Sequence, residues 1–163
     1  MPFTPFHFGP SASIAFPLKR TIDIPVFILA NVAIDIEPLT VMIFNLSYPL
    51  HGYAHSFLGA GLVGALWGVV AFKGKGLLGG VMHFLGLKYQ TTITKAIISG
   101  ILGAFGHVLL DAPIYTDIKP FYPLNINPFY GLLSQQSMYL FCSLLFIPAL
   151  LLYIKARNNQ NEE

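Results

Sequence analysis

Two pairs of residues that could bind a metal ion share the same spacing in this sequence. His51 and His55 are four residues apart, and so are His107 and Asp111. Because residues at i and i+4 lie on one face of a helix, each pair could direct two ligands at one ion. Both pairs fall in apolar stretches, where an ionisable side chain costs free energy unless a site needs it. The spacing therefore predicts a metal site among apolar helices.

Two carboxylates, Asp35 and Glu37, lie in the first long apolar stretch, just before Pro38. Residues two positions apart do not share a helix face, but Pro38 cannot donate a hydrogen bond to the carbonyl of Ile34 and should kink the helix. A kink would let both carboxylates point to one side. We expect Asp35 to bind the metal and Glu37 to accept a proton from a water that the metal acidifies. The alternative is that burial keeps both carboxyls protonated.

The N-terminal segment contributes a further candidate, His7. Pro10 suits the first turn of a short helix that ends near Pro17, which predicts a half-helix. If this half-helix descends to a turn and the next helix rises again, His7 and Asp35 are each 14 residues from position 21 and lie at similar depth. The alternative is a histidine at the level of the lipid headgroups.

The complete set of expected metal ligands is His7, Asp35, His51, His55, His107 and Asp111, with Glu37 as the catalytic residue. Mixed nitrogen and oxygen ligands suit zinc, with manganese or iron as alternatives, rather than a soft metal. Asp111 could instead orient His107. Lys119 could bind an anionic substrate, or Asp117 and Lys119 could be solvated loop charges. His83 fits no pair and is expected outside the site.

Composition identifies the elements that must hold these residues. Hydrophobic residues make up 55% of the 163 positions and charged residues 10%, whereas an ordinary soluble domain carries roughly 25% charge. The chain is therefore expected to be an all-α, polytopic membrane bundle. Its net charge of +2 is too small to suggest a nucleic-acid partner.

Four stretches are long enough to span or nearly span a bilayer, which needs about 20 helical residues. They are Ile24–Leu46, Gly52–Phe72, Ile93–Leu110 and Met138–Ile154. A short interfacial helix is expected around Leu77–Leu87, and the prolines of Ala112–Ser134 predict a long structured loop. Residues 1–156 then form one membrane-embedded domain, and residues 157–163 form a polar tail.

Glycines and basic residues predict how the spans pack and which way they face. The glycines of the second and third spans should allow close helix packing; these are Gly61, Gly64, Gly68, Gly100, Gly103 and Gly106. If the four spans alternate, eight basic residues lie on one side and only Lys119 on the other. The positive-inside rule then places loop 73–92 and the C-terminus in the cytoplasm.

The order of the candidate residues resembles a small inner-membrane family described as metal-dependent hydrolases, which includes LexA-binding, YdjM-like members. The resemblance covers most of the chain and rests on His7, Asp35-x-Glu37, His51-x3-His55, Gly106-His107-x3-Asp111 and Asp117-x-Lys119-Pro120-Phe121. In its dispersed His and Asp residues the chain also resembles, more remotely, the zinc-dependent phospholipase C and S1/P1 nuclease group. Both resemblances imply a helical bundle that holds a divalent metal for hydrolysis.

The expected activity is hydrolysis of a phosphate ester, which could be linked to a membrane lipid, by a metal-activated water. Two other functions compete with this one. A non-catalytic membrane protein could use the metal to cross-link helices or could dock a partner, and a transporter could use the same buried ligands. Four spans would make a complete transport pathway only by oligomerisation. An open coordination position would distinguish a catalytic site from a structural one.

Overall fold

The computed structural model describes residues 4–161, which form helices and loops and contain no strand. The all-α prediction is therefore confirmed for this part of the chain. Its α-helices, in chain order, are α1 (Phe8–Ala15), α2 (Ile24–Ala33), α3 (Ile36–Phe44), α4 (Phe57–Lys73), α5 (Lys75–Phe84), α6 (Ile93–Asp111), α7 (Gln135–Leu144) and α8 (Phe146–Asn161). Two 3-10 helices, Thr4–His7 and Tyr53–His55, precede α1 and α4.

Three apolar helical stretches in the described residues are long enough to cross a membrane: Ile24–Phe44, Ile93–Asp111 and Gln135–Asn159. A fourth span is present if α4 and α5 are counted together, although they are bent by 77° at their junction. Length and composition thus agree with the expected number of spans. Helix α5 lies where a short helix was expected around Leu77–Leu87. Residues 157–161, expected in a polar tail, continue α8, because a helix can project polar side chains beyond an apolar span.

Side-chain caps explain where several helices begin. Each of three capping residues accepts a hydrogen bond from the backbone N–H three positions later, which satisfies a donor that the first helical turn leaves open. The pairs are Asp23 with Val26, Ser56 with Gly59, and Thr92 with Lys95. The Asp23 carboxylate also accepts a hydrogen bond from the Tyr89 hydroxyl at 3.0 Å.

The first span is broken between α2 and α3, as Pro38 predicts. Ile34 and Asp35 lie in the turn between the two helices. The carbonyl of Ile34, which Pro38 cannot reach with an N–H, accepts a hydrogen bond from the N–H of Glu37 at 3.2 Å instead. This tighter turn interrupts the α-helical pattern just before both acidic residues.

The second span begins later than the sequence suggests. Helix α4 begins at Phe57, so His51 and His55 precede it and do not share one face of a helix. The backbone N–H groups of Gly52 and Ala54 donate to the Glu37 carboxylate at 3.0 and 3.2 Å. Because these amides point at a carboxylate and Ser56 caps α4, the segment before Phe57 forms a 3-10 turn rather than an α-helix.

The N-terminal half-helix is built into the bundle. Helix α1 packs against α2 and α8, and the Ser13 hydroxyl donates to the carbonyl of Leu145 at 2.8 Å. Its last residue, Ala15, lies two positions before Pro17. The prediction of a short helix that ends near Pro17 is confirmed, and its packing carries His7 into the interior.

Glycine allows α4 and α6 to approach each other closely. A Cβ at Gly100 would lie 2.1 Å from the carbonyl oxygen of Gly64, and one at Gly64 would lie 2.4 Å from that of Gly100. Gly68 and Gly103 show similar backbone approaches, whereas a Cβ at Gly61 would make only ordinary contact with Phe105. Close packing is therefore confirmed at most, but not all, of the expected glycines.

Gly100→Ala is expected to destabilise the protein by about 1–3 kcal/mol, because α4 and α6 must separate to admit the methyl group. Thermal unfolding in detergent measures this. The control is Gly80→Ala on α5, where a Cβ meets nothing within 4 Å. Alanine should stabilise that helix by about 0.5–1 kcal/mol. Equal unfolding midpoints for the two variants would contradict this account of the α4–α6 contact.

Candidate metal centre

Four side chains from three parts of the chain converge on one point inside the bundle. Asp35, His55, His107 and Asp111 each offer one ligand atom, and these atoms all lie within 4.8 Å of one another. Asp35 comes from the break in the first span and His55 from the 3-10 turn before α4. His107 and Asp111 lie one turn apart at the end of α6. Together they could hold one metal ion.

The distances around His107 match the edges of a metal coordination shell. Its Nε2 lies 3.3 Å from His55 Nε2, 3.4 Å from an Asp35 oxygen and 3.4 Å from an Asp111 oxygen. Ligands at about 2.0–2.1 Å from a tetrahedral zinc ion are about 3.3–3.4 Å from one another. The three contacts of His107 Nε2 therefore have the spacing of ligands on a small divalent ion, and all four donor atoms lie within 4.8 Å of one another.

A single proton on His107 cannot satisfy this arrangement. The Nε2 atom of His107 carries at most one proton, yet three potential acceptors surround it at nearly equal distances. The nitrogen of His55 that faces it is also an acceptor, because the other ring nitrogen of His55 contacts Glu37 at 2.9 Å. A cation at the common centre would satisfy all four groups at once.

His7 lies at the edge of this group. Its ring stacks on that of His107 with centroids 4.5 Å apart, and its Nε2 is 3.3 Å from Asp111 Oδ1. His7, expected at the depth of Asp35, thus contacts Asp111, whose ligand atom lies within 4.8 Å of that of Asp35. Asp111 therefore lies between two imidazoles, with one oxygen near each.

Several buried polar atoms of this region have no hydrogen-bond partner among the described residues. They are both ring nitrogens of His7, both carboxylate oxygens of Asp111, Nδ1 of His107 and the hydroxyl of Tyr115. The imidazole contacts of Asp111 at 3.3–3.4 Å thus lack hydrogen-bond geometry. Unsatisfied buried polar atoms are costly and indicate a missing ion or water. These nitrogen and oxygen donors, with no hydrogen-bond partner of their own, therefore fit a divalent metal.

Glu37 holds His55 in place. One of its oxygens accepts from His55 Nδ1 at 2.9 Å and from the N–H of Gly52, and the other accepts from the N–H of Ala54 and, at 3.4 Å, from the Tyr48 hydroxyl. A carboxylate on one ring nitrogen directs the other toward a metal. These contacts support an orienting role for Glu37, and its role as a proton acceptor stays a prediction.

Asp117 holds His51 in place in the same way. Its two oxygens lie 3.0 Å from His51 Nδ1, and one of them accepts the backbone N–H of His51 at 3.1 Å. Partial burial opposes ionisation of Asp117, but the hydrogen bonds from His51 outweigh it and hold the pKa of the carboxyl below its usual value. His51 lies outside the four-residue group, with its ring 4.7 Å from that of His55.

Tyr115 is a site residue that sequence reasoning missed. Its ring packs on His51 with centroids 4.2 Å apart. Burial raises the pKa of Tyr115, and the negative charge of Asp111 raises it further. The hydroxyl therefore stays protonated and can donate a hydrogen bond. The sequence gives no signal for this role, because aromatic residues are abundant throughout the chain.

Glu37→Gln is expected to lower metal affinity about 10–100-fold, the usual cost of losing a partner that orients a metal ligand. Titration of chelator-treated protein with Zn²⁺ measures this. Tyr48→Phe is the matched control, since it removes only the 3.4 Å contact to Glu37 and should change affinity little. If Glu37→Gln keeps full affinity and loses only turnover, the proton-acceptor role is supported instead.

Among known proteins, the chain matches no family model, no curated protein and no solved structure.

Proposed function

We propose that the protein is a membrane-embedded, metal-dependent hydrolase that acts on a phosphate ester. Asp35, His55, His107 and Asp111 would bind the divalent ion, with zinc expected and manganese or iron as alternatives. His7 and His51 would complete its surroundings. A metal held there would acidify a water and polarise a phosphoryl oxygen. We also propose that the protein belongs to the LexA-binding, YdjM-like family, which it resembles in the order of these residues.

The uneven enclosure of the centre supports catalysis over a structural role. The side chains of His55 and His107 are fully buried and that of Asp111 is 1% exposed, whereas that of Asp35 is 15% exposed. The ligands from α6 are therefore enclosed, whereas the side chain of Asp35 is partly exposed. Catalytic metal sites keep one position accessible, and structural sites close it. Structural zinc sites are also dominated by cysteine and histidine, whereas two of these four ligands are carboxylates.

The residues around the ion have separable tasks in this proposal. Glu37 fixes the ring of His55, and Asp117 fixes that of His51. The buried hydroxyl of Tyr115 can donate to an oxygen near the centre. The proton released from water would pass to Glu37, as the sequence suggests, or to an acceptor on the accessible side.

The test combines metal analysis of protein purified in mild detergent with a screen of phosphomonoesters, phosphodiesters and phospholipids. We expect about one divalent ion per chain and turnover that chelation abolishes and Zn²⁺ or Mn²⁺ restores. His83→Ala is a matched control, because His83 is an exposed histidine on α5. Stoichiometric metal without turnover on any substrate class would support the competing function, in which the metal cross-links helices.

We further propose that this is a multi-pass protein of the inner membrane, with loop 73–92 and the C-terminus in the cytoplasm. The distribution of lysine and arginine supports this orientation. A single cysteine introduced at position 84 in a Cys142→Ala background should react with an impermeant maleimide only after the cells are opened. Labelling at position 84 in intact spheroplasts would overturn the orientation.

A further inference from the structure

A polar cavity of about 380 Å³ lies beside the metal centre. Its polar wall is formed by His51, Asp117, Lys119 and Asn125. The ring of His51 also packs edge-on against the ring of His55, which belongs to the centre. His51 therefore belongs to the wall of this cavity and also lies against a residue of the centre.

The charges around this cavity favour an anion. Asp117 is paired with His51 at 3.0 Å, whereas the ammonium of Lys119 makes no ion pair with any residue that the structure describes. A divalent ion at the centre would add further positive charge on the inner side. A phosphate group in the cavity could contact Lys119 and would be attracted by the charge of the ion.

An apolar groove continues from the polar cavity along α4. This second cavity, of about 260 Å³, shares Tyr53 and Tyr122 with the first and passes Leu58 and Leu62. The two leucines are 59% and 69% exposed on a helix that is apolar throughout its length. A polar cavity next to an apolar groove suits an amphiphile, with its polar group in the cavity and its apolar chain in the groove.

We propose that the substrate is a membrane phospholipid whose phosphate contacts Lys119 in the polar cavity and whose acyl chain lies against Leu58 and Leu62. This inference rests on the proposed function and specifies its substrate. A larger apolar cavity, lined by Glu37, Trp67 and Val70, begins one turn further along α4 and shares no residue with the polar cavity. The groove past Leu62 is therefore the one that continues from the phosphate position.

The test uses a phosphonate analogue of phosphatidic acid that cannot be hydrolysed and that carries a diazirine at the end of one acyl chain. Photocrosslinking of the metal-loaded protein should label residues 57–62. Lys119→Gln should reduce this labelling about tenfold, the loss expected for one hydrogen bond to a charged group. Leu62→Gln should also reduce it, whereas Val70→Gln, at an exposed position of α4 in the other cavity, should not. The same photoreactive chain on diacylglycerol should show no dependence on Lys119.

Labelling that is equal in wild type and Lys119→Gln would overturn the proposal and leave Lys119 a solvated loop charge. Labelling centred on residues 66–67 would overturn it in favour of the other groove. Because the probe is not hydrolysed, the result does not depend on catalysis. Crosslinking at 57–62 without hydrolysis of the parent phospholipid would contradict only the enzymatic function, and hydrolysis without this crosslinking would contradict only the lipid-binding path.

Discussion

His107→Ala is expected to eliminate stoichiometric metal binding and all metal-dependent hydrolysis. The Nε2 atom of His107 contacts all three other members of the group at 3.3–3.4 Å. Its loss removes a ligand and leaves two carboxylates facing a cavity. We expect metal affinity to fall by more than the 10–100-fold that loss of an orienting partner costs. Mass spectrometry of the metal content of purified protein measures this.

His83→Ala should keep the full metal content, because this exposed histidine of α5 contacts no member of the group. The comparison separates a specific ligand from general binding of metal to histidine. Unchanged metal content in His107→Ala would contradict the assignment of the centre.

Asp111→Asn should cause the second large effect, a loss of metal together with a loss of stability. Asp111 is 1% exposed, and its two oxygens face the rings of His7 and His107. Asparagine preserves the shape but replaces one oxygen with an N–H₂ group that cannot bind a metal. We expect metal affinity to fall at least about 100-fold, and metal-linked stabilisation of the fold should disappear with it. Thermal unfolding with and without Zn²⁺ reports both effects.

Asp23→Asn is the matched control, because Asp23 is also a buried aspartate in the bundle and lies at the start of α2. Its carboxylate caps α2 and binds the Tyr89 hydroxyl. Because asparagine caps a helix about as well as aspartate, the variant should keep its cap, while Zn²⁺ raises its unfolding midpoint as in wild type. The same response to Zn²⁺ in Asp111→Asn would show that Asp111 binds no ion.

Sequence patterns predicted the parts of the fold that depend on local chemistry. Apolar stretches near the length of a bilayer indicated the spans. Pro38 indicated the helix break at which Asp35 and Glu37 lie. The i, i+4 spacing of His107 and Asp111 is realised on α6, because nothing interrupts that helix. His7, which the half-helix predicted at the depth of Asp35, lies 3.3 Å from Asp111 of the same group.

The spacing argument was wrong for His51 and His55, although their rings do lie together. They precede α4, and their position depends on hydrogen bonds to Glu37 and Asp117, which are 18 and 66 residues away from their partners. Such long-range contacts have no local pattern in the sequence. The orienting role of Asp117 and the position of Tyr115 beside His51 were missed for the same reason.

Anomalous X-ray diffraction from crystals of the protein grown with Zn²⁺ tests the central claim most directly. A single strong peak is expected about 2.0–2.2 Å from the ligand atoms of Asp35, His55, His107 and Asp111. The peak should be absent from crystals of His107→Ala. A fully ordered centre with no anomalous peak, or a peak bound only to His83 or to surface carboxylates, would contradict the account.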